Sequence, residues 1–221
     1  MVKRAILSLW TLPSVIAVGY FAYLSAYTEI LLIGSKKDLQ LLQYGTKNAV
    51  RYYEAIEANF KKMGDLQKKS TRVQEIFGDY YLFRVKSGMD PGLAGKNAAA
   101  SYRNAIKEMP AKAEWWTKLA YTKAVLNEFD KEFYISYERA LLYGGYDFYI
   151  NETLVKIGLA YWYFMNVDSR LLFKQAVINA YSFGAYPVLK LAQEYGQLRM
   201  VCIWVRNEDN LHRMCEKELS K

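Results

Sequence analysis

The sequence predicts an all-α protein in which an N-terminal transmembrane helix precedes a series of stacked antiparallel helix hairpins. The first 28 residues include 24 consecutive positions, residues 5–28, that carry no charge. Beyond them, apolar residues recur at three- and four-residue spacings rather than alternating, which indicates helices. The 221 residues also include only 4 Pro and 13 Gly, fewer turn-forming residues than all-β proteins usually contain.

Residues 5–28 are long enough to cross a membrane. At about 1.5 Å per residue, a helix of this length exceeds the roughly 30 Å hydrocarbon layer. Trp10 lies near one end, and Tyr23 and Tyr27 lie near the other, where interfacial aromatic belts form. Pro13 is compatible with this interpretation because transmembrane helices tolerate proline. We therefore expect a membrane anchor over residues 1–34 and a helical domain over residues 35–221.

Two other interpretations of the N-terminal segment are a cleaved signal peptide and a buried helix of a soluble domain. A signal peptide has an apolar core of about 7–15 residues and a small-x-small cleavage site. This run is longer, and Ala26 has Leu24 two positions before it. An uncleaved anchor fits the segment better than either alternative.

The charges that flank the span are nearly balanced. Lys3 and Arg4 precede it and favour a cytoplasmic N-terminus, whereas Lys36 and Lys37 follow it closely. The charge rule therefore favours export of the downstream domain only weakly.

Two cysteines bear on the same question. Cys202 and Cys215 flank a polar stretch at residues 207–210. If this stretch is the turn of a helix hairpin, the two sulfurs face each other and can form a disulfide; in one continuous helix they lie about 20 Å apart. The alternative is a pair of reduced core cysteines. A disulfide would require an oxidising compartment and so favours a domain outside the cytoplasm.

The helical periodicity, together with Gly and Pro breaks, divides the rest of the chain into segments of about 15 residues. The predicted helices are residues 37–44, 46–63, 71–86, 96–109, 112–127, 130–143, 148–165, 168–183, 187–205 and 209–219. Residues 86–96 are expected to form a loop, either a hinge or an insertion.

Part of this helical region resembles the tetratricopeptide repeat. Small, aromatic and proline residues occur at that repeat's spacing: Ala98, Tyr102, Ala105, Pro110, Trp116, Leu119 and Ala120. Weaker echoes are Ala49, Tyr53 and Ile56 upstream and Phe133, Tyr137 and Ala140 downstream. The resemblance, strongest over residues 98–145, implies hairpins stacked into a right-handed superhelix. A generic helical bundle is the alternative.

A more specific resemblance is to the VpsP-like proteins of bacterial exopolysaccharide operons. The matching residues are Trp116, Leu119, Ala120, Lys123, Ala124, Leu126, Glu128, Asp130 and Phe133. The Gly-Gly-Tyr-Asp turn at residues 144–147 departs from the Gly-Pro-Trp-Glu type expected in that family. The resemblance implies a membrane-anchored bacterial protein with a role in polysaccharide assembly or export. Taken with the flanking charges and the two cysteines, it leads us to expect a single-pass protein of the bacterial inner membrane with a periplasmic domain.

Several kinds of chemistry are disfavoured by the residues present. The single histidine, His212, cannot form a multi-His zinc site, and no ordinary Ser-His-Asp triad is easily built around it. A phosphate loop around Gly95 and Lys96 is rejected because Asp90 and Asn97 stand where Gly and Ser or Thr are required. We predict no catalytic residue, cofactor or metal site, and therefore no enzyme.

Clustered carboxylates leave one enzymatic alternative open. The clusters are Glu128, Asp130 and Glu132, and Glu208 with Asp209. They fall in predicted turns or helix starts, where solvated acids favour the helix dipole. A suitably spaced carboxylate pair could also cleave a glycan, so a carboxylate-dependent glycan-acting enzyme remains an alternative.

The net charge of +8 has a location. Residues 36–72 contain nine Lys/Arg and four Asp/Glu, a local charge of +5. Beside a membrane, this segment would attract anionic lipid, and it would also attract an anionic polysaccharide. A solvated helix face is the alternative. No nucleic-acid-binding motif is recognised, and nucleic acid is not an expected partner.

A binding groove is predicted from the repeat register. In a tetratricopeptide-like array the first helix of each hairpin lines the concave surface. This register directs Glu114, Thr117 and Tyr121 into the groove and makes Trp116 and Leu119 packing residues. We therefore expect a non-catalytic scaffold that binds protein partners of a membrane-bound polysaccharide synthesis or export complex. An assembly scaffold of a pilus or secretion system is the alternative within the same class.

Overall fold

The computed structural model describes residues 2–45, 49–205 and 215 of the chain, and these residues form helices and no strand. The all-α prediction is therefore confirmed for the described residues. The chain divides into two compact units, Met1–Tyr80 and Tyr81–Lys221. The helices are α1 (Val2–Gln43), α2 (Ala49–Lys62), α3 (Asp65–Lys68), α4 (Thr71–Lys86), α5 (Pro91–Glu108), α6 (Ala113–Val125), α7 (Lys131–Gly144), α8 (Phe148–Tyr161), α9 (Val167–Phe183), α10 (Ala185–Glu194) and α11 (Leu198–Trp204).

Helix α1 has two parts that differ in exposure. It contains a stretch, Pro13–Gln43, that is long and apolar enough to cross a membrane, with a mean hydropathy of 1.6. Large apolar side chains early in this stretch are 59–69% exposed: Val15, Ile16, Val18, Tyr20, Phe21 and Tyr23. From Thr28 onward one stripe of the same helix is buried, formed by Thr28, Leu31, Leu32, Ser35, Leu39 and Leu42. The spacing of three and four residues means that only one face of this second part contacts protein.

The second part of α1 packs against α2 and the segment that follows it. The Asn59 amide nitrogen donates to the Ser35 hydroxyl at 3.2 Å. Helix α2 also contacts α4 through an aromatic cluster, in which the Phe60 ring packs on Phe77 and Tyr80. The Tyr80 hydroxyl bonds the Glu57 carboxylate at 3.0 Å. The first unit is therefore a small helical assembly built around the end of the apolar helix.

Side-chain caps fix the starts of four helices in the second unit. Asp90, Asp130, Asp147 and Asn166 each accept a hydrogen bond from the backbone N–H three residues later, which begins α5, α7, α8 and α9. These caps satisfy backbone donors that the first helical turn leaves without an intrahelical partner.

The hairpins of the second unit stack on one another. Helices α6 and α7 form one antiparallel pair and α8 and α9 form the next, while α6 also packs beside α8 and α7 beside α9. Three triplets with the same spacing are fully buried, one on each of α5, α7 and α9: Ala98, Tyr102 and Ala105; Phe133, Tyr137 and Ala140; and Phe173, Val177 and Ala180. Their small members let neighbouring backbones approach.

Several predicted element boundaries are wrong. The segment 86–96 is not a loop throughout, because Asp90 caps α5 and Pro91 opens it. Residues 37–44 do not form a separate helix but continue α1. The predicted helix 187–205 is broken after α10, where Gly196 adopts a positive φ of 67°. The predicted segment 209–219 lies outside the described residues, apart from residue 215.

Candidate functional site

A buried lysine organises the turn between α6 and α7. The Lys123 side chain is 3% exposed, and its Nζ lies 2.9 Å from Glu128, 2.8 Å from Asp130 and 3.1 Å from Glu132. Arg103, from α5, forms a two-point contact with the Glu132 carboxylate, with Nη2–Oε2 at 2.7 Å. We call these five residues the Lys123 cluster. It joins three consecutive helices through charge-assisted hydrogen bonds.

The electrostatics of the cluster favour the charged forms of Lys123, Asp130 and Glu132. Burial alone would lower the pKa of Lys123, but hydrogen bonds with the surrounding carboxylates outweigh it and raise that pKa. The hydrogen bond from Arg103 lowers the pKa of Glu132. Burial opposes the same change at Asp130, yet the hydrogen bond from Lys123 lowers its pKa.

This arrangement suits structural cohesion better than acid–base chemistry. Glycan cleavage by two carboxylates needs one of them to stay protonated, which requires a raised pKa. In the Lys123 cluster, the pKa values of Asp130 and Glu132 are both lowered instead. The sequence indicated the helix-start role of Asp130 but not the buried cation between the acids. A signal was present in the sequence, because Glu128, Asp130 and Glu132 all follow Lys123 within nine residues.

The three residues predicted to line a groove have different environments. Glu114 is half-buried, and its carboxylate pairs with Lys118 at 2.8 Å; burial raises the pKa of Glu114, but the lysine contacts outweigh this and lower it. Thr117 is buried at 4% exposure and donates its hydroxyl to the Ala113 carbonyl at 2.9 Å. Tyr121 is half-buried. Thr117 therefore offers no accessible surface to a partner, whereas Glu114 and Tyr121 do.

The predicted packing roles of Leu119 and Trp116 are confirmed, since Leu119 is buried and Trp116 packs against the hydrophobic core. The fully buried tryptophan is Trp115, at 1% exposure. Trp116 is only partly buried and donates its Nε1 hydrogen to the Pro110 carbonyl at 2.6 Å. Adjacent tryptophans look alike in a periodicity count, so the sequence could not distinguish the core residue from its neighbour.

Tyr121 lies near several tyrosine and lysine side chains. Lys86 Nζ lies 4.5 Å from the centroid of the Tyr121 ring, a cation–π contact. Burial raises the pKa of Tyr121, and the charge of Lys156 opposes that rise. Burial also raises the pKa of Tyr161, with further contributions from Tyr121 and Tyr195. We call Tyr121, Tyr161, Tyr195, Lys86 and Lys156 the tyrosine surface. Its tyrosines come from α6, α8 and the residue after α10.

A separate groove runs between α7 and α9. Its volume is about 610 Å³, and apolar side chains of Tyr134, Ile135, Leu171 and Leu172 line it. Charged residues stand at its margin, including Lys131 and Asp168. Ile135 and Leu171 are 37% and 63% exposed, so the groove is open to solvent.

The two cysteines are joined in the structure. Cys202 and Cys215 form a disulfide with a Cα–Cα distance of 5.6 Å. Both belong to the buried core of the second unit, at 8% and 2% exposure. The turn predicted at residues 207–210, together with Glu208, Asp209 and His212, lies outside the described residues.

The rejected phosphate loop has a helical structure. Gly95 is buried inside α5, and a Cβ built there would lie 2.5 Å from a Leu126 methyl group. Asp90 caps the helix instead of facing a ligand. Among the residues that the structure describes, no group of three His, Cys, Asp or Glu side chains could hold a metal ion.

Comparison of the chain with known protein families, curated proteins and solved structures finds no match.

Proposed function

We propose that this protein is a membrane-anchored scaffold that binds protein partners of an envelope polysaccharide synthesis or export complex. Helix α1 supplies the anchor, and the stacked hairpins supply the binding domain. The tyrosine surface carries the proposal, because Tyr121 of α6, Tyr161 of α8 and Tyr195, which follows α10, are close enough to interact electrostatically and are all partly exposed. Tyrosine is a favoured contact residue since it offers a large amphipathic area at low conformational cost.

The proposed architecture is a tetratricopeptide-like right-handed superhelix. The packing of α6 beside α8 and of α7 beside α9 supports it. So does the repeated burial of small and aromatic residues on the second helices. In such an array the first helices line the concave surface, and the repeat register directs Tyr121 toward it. The polysaccharide assignment rests on the VpsP-like resemblance over residues 116–133.

The proposed location is a bacterial inner membrane with the second unit in the periplasm. Lys3 and Arg4 before the span favour this orientation. The Cys202–Cys215 disulfide is consistent with it because disulfides persist in oxidising compartments.

The experiment measures secreted exopolysaccharide and cross-linked membrane complexes in cells of the source organism. A chain with Tyr121→Ala and Tyr195→Ala should lose most of the secreted polymer and its cross-linked partners, while its level in the membrane fraction stays normal. The matched control is Tyr146→Ala with Tyr149→Ala, because those tyrosines are 98% and 76% exposed and lie outside the tyrosine surface.

Equal polymer secretion by both variants and the unaltered protein would contradict the proposal. Loss of pili or of a secreted protein, with polymer secretion intact, would instead assign the scaffold to a pilus or secretion machine.

A further inference from the structure

The segment that connects α2 to α4 is attached to one particular level of α1. This segment, residues 61–72, comprises the end of α2, the short helix α3 and the start of α4; we call it the basic corner. The Gln67 side chain donates to the Leu24 carbonyl at 3.2 Å. Arg72 pairs with Glu29 at 2.7 Å. The basic corner therefore lies beside residues 24–29 of α1.

That level is where the membrane-crossing part of α1 ends. The uncharged run, residues 5–28, ends directly before Glu29. Burial of one face of α1 begins at Thr28. Tyr23 and Tyr27, whose rings stack 6.2 Å apart, lie in the last turns of the run, where an interfacial aromatic belt is expected. Three independent features thus place the membrane surface at the basic corner.

The chemistry of the basic corner matches an anionic membrane surface. Its twelve residues include five Lys/Arg and one acid, Asp65, which lies 3.7 Å from Lys68. Lys61, Lys62 and Lys69 are exposed. Between them Leu66 is 69% exposed, although it sits in a charged segment. Exposed lysines around an exposed leucine are typical of a surface that rests in the lipid interface.

We propose that the basic corner binds the phosphate groups of anionic phospholipids in the membrane that α1 crosses. Lys61, Lys62 and Lys69 contact the head groups, and Leu66 enters the boundary between head groups and acyl chains. The inference rests on the membrane anchor of the proposed function and adds a lipid-binding site to it. Lipid is favoured over a soluble polyanion because the basic corner is attached to α1 at residues 24–29, where the uncharged run of that helix ends, and a membrane crossed by that run would lie next to it.

The test uses the full chain, purified in neutral detergent and titrated with phosphatidylglycerol or phosphatidylcholine. Bound lipids are counted by native mass spectrometry. We expect the unaltered protein to bind phosphatidylglycerol preferentially and Lys61→Gln/Lys62→Gln/Lys69→Gln to reduce that preference at least fivefold. Leu66→Ser should weaken binding of both lipids. The matched control removes three exposed lysines elsewhere, with Lys96→Gln/Lys107→Gln/Lys190→Gln, and should keep the preference.

Three results would overturn the inference: no preference in the unaltered protein, an equal loss in the control, or binding of alginate that outcompetes phosphatidylglycerol at these lysines. The last outcome would assign the corner to an anionic polysaccharide. Extraction with alkaline carbonate is run in parallel. Release of the protein from membranes there would contradict the anchor itself, whereas retention with no lipid preference would contradict only the lipid site.

Discussion

At the scale of single residues, the most informative side chain is Lys123. An ammonium group buried to this extent is costly unless it is paired and hydrogen-bonded. Here three carboxylates from the same turn surround it, and Arg103 neutralises part of their charge from α5. The three acids are partly exposed to solvent, so the free energy of each contact is modest. Lys123 is buried, however, so water cannot replace the carboxylates as its hydrogen-bond partners. The Lys123 cluster therefore fixes the geometry of the α6–α7 hairpin.

Replacing this lysine should weaken folding and alter its pH dependence. We expect Lys123→Met to lower the free energy of unfolding at pH 7 by about 1–3 kcal/mol, because three acids lose their buried partner. The lowered pKa values of Asp130 and Glu132 mean that their contribution is complete above the unfolded-state pKa and is lost as pH falls through the folded-state pKa. The unaltered protein should therefore lose stability between pH 5 and about pH 3.

Urea unfolding of the full chain in detergent, at pH 7 and pH 3, measures both effects. The acid-induced loss should be smaller in Lys123→Met than in the unaltered protein. Lys107→Met is the control because Lys107 is exposed on α5. If the free energy of unfolding changes with pH by the same amount in all three proteins, the Lys123 cluster does not contribute to stability.

At the scale of elements, close helix contacts depend on residues without side chains. Gly158 in α8 packs directly on the Phe173 ring of α9, and a Cβ at that position would lie 2.1 Å from the ring. Phe173 is itself fully buried and contacts Trp162 and Trp204. Because the ring is buried and contacts two tryptophans on its other sides, the close approach of α8 to α9 depends on this glycine.

Gly158→Ala should therefore destabilise the second unit by about 1–3 kcal/mol through overpacking, although alanine favours helices. Gly92→Ala is the matched control, since Gly92 is also helical and has nothing within 4 Å of a built Cβ. Thermal or urea unfolding followed by circular dichroism distinguishes the two. Equal stability of both variants would mean that α8 and α9 separate without cost.

Most helices could be predicted from the sequence because their periodicity and capping residues are local signals. The capping residues Asp130 and Asp147, for example, lie within three residues of the predicted starts of α7 and α8. The break at Gly196 was missed because apolar spacing continues across it. Contacts between helices were harder to predict. The choice of Trp115 over Trp116 as the core residue, and the position of Lys123 among acids, depend on how distant helices pack.

At the scale of the whole molecule, the chain combines an exposed apolar helix with a helical domain that holds a disulfide. The early apolar side chains of α1 are exposed in the described structure, and the helix is long and apolar enough to cross a membrane. Disulfides persist in oxidising compartments. The location proposed above, a membrane protein whose second unit faces away from the cytoplasm, accounts for both features together.

A C-terminal phosphatase fusion tests this orientation, because that enzyme is active only outside the cytoplasm. We expect an active fusion, retention in the membrane after carbonate extraction, and a mobility shift on reduction. Cys202→Ser with Cys215→Ser should keep the topology and lower stability by about 2–3 kcal/mol, as for other loops of this size. A β-galactosidase fusion that is active instead would contradict the periplasmic assignment and remove the oxidising compartment.

The continuity of α1 through the membrane surface has a mechanical consequence. No proline or break separates the apolar part, after Pro13, from the buried stripe that begins at Thr28. If the uncharged part of α1 crosses a membrane, a rotation of that part about the helix axis also turns the buried stripe, because both belong to one continuous helix. One residue inserted after Tyr27 would turn the stripe by about 100° relative to the membrane segment, and seven would nearly restore the phase.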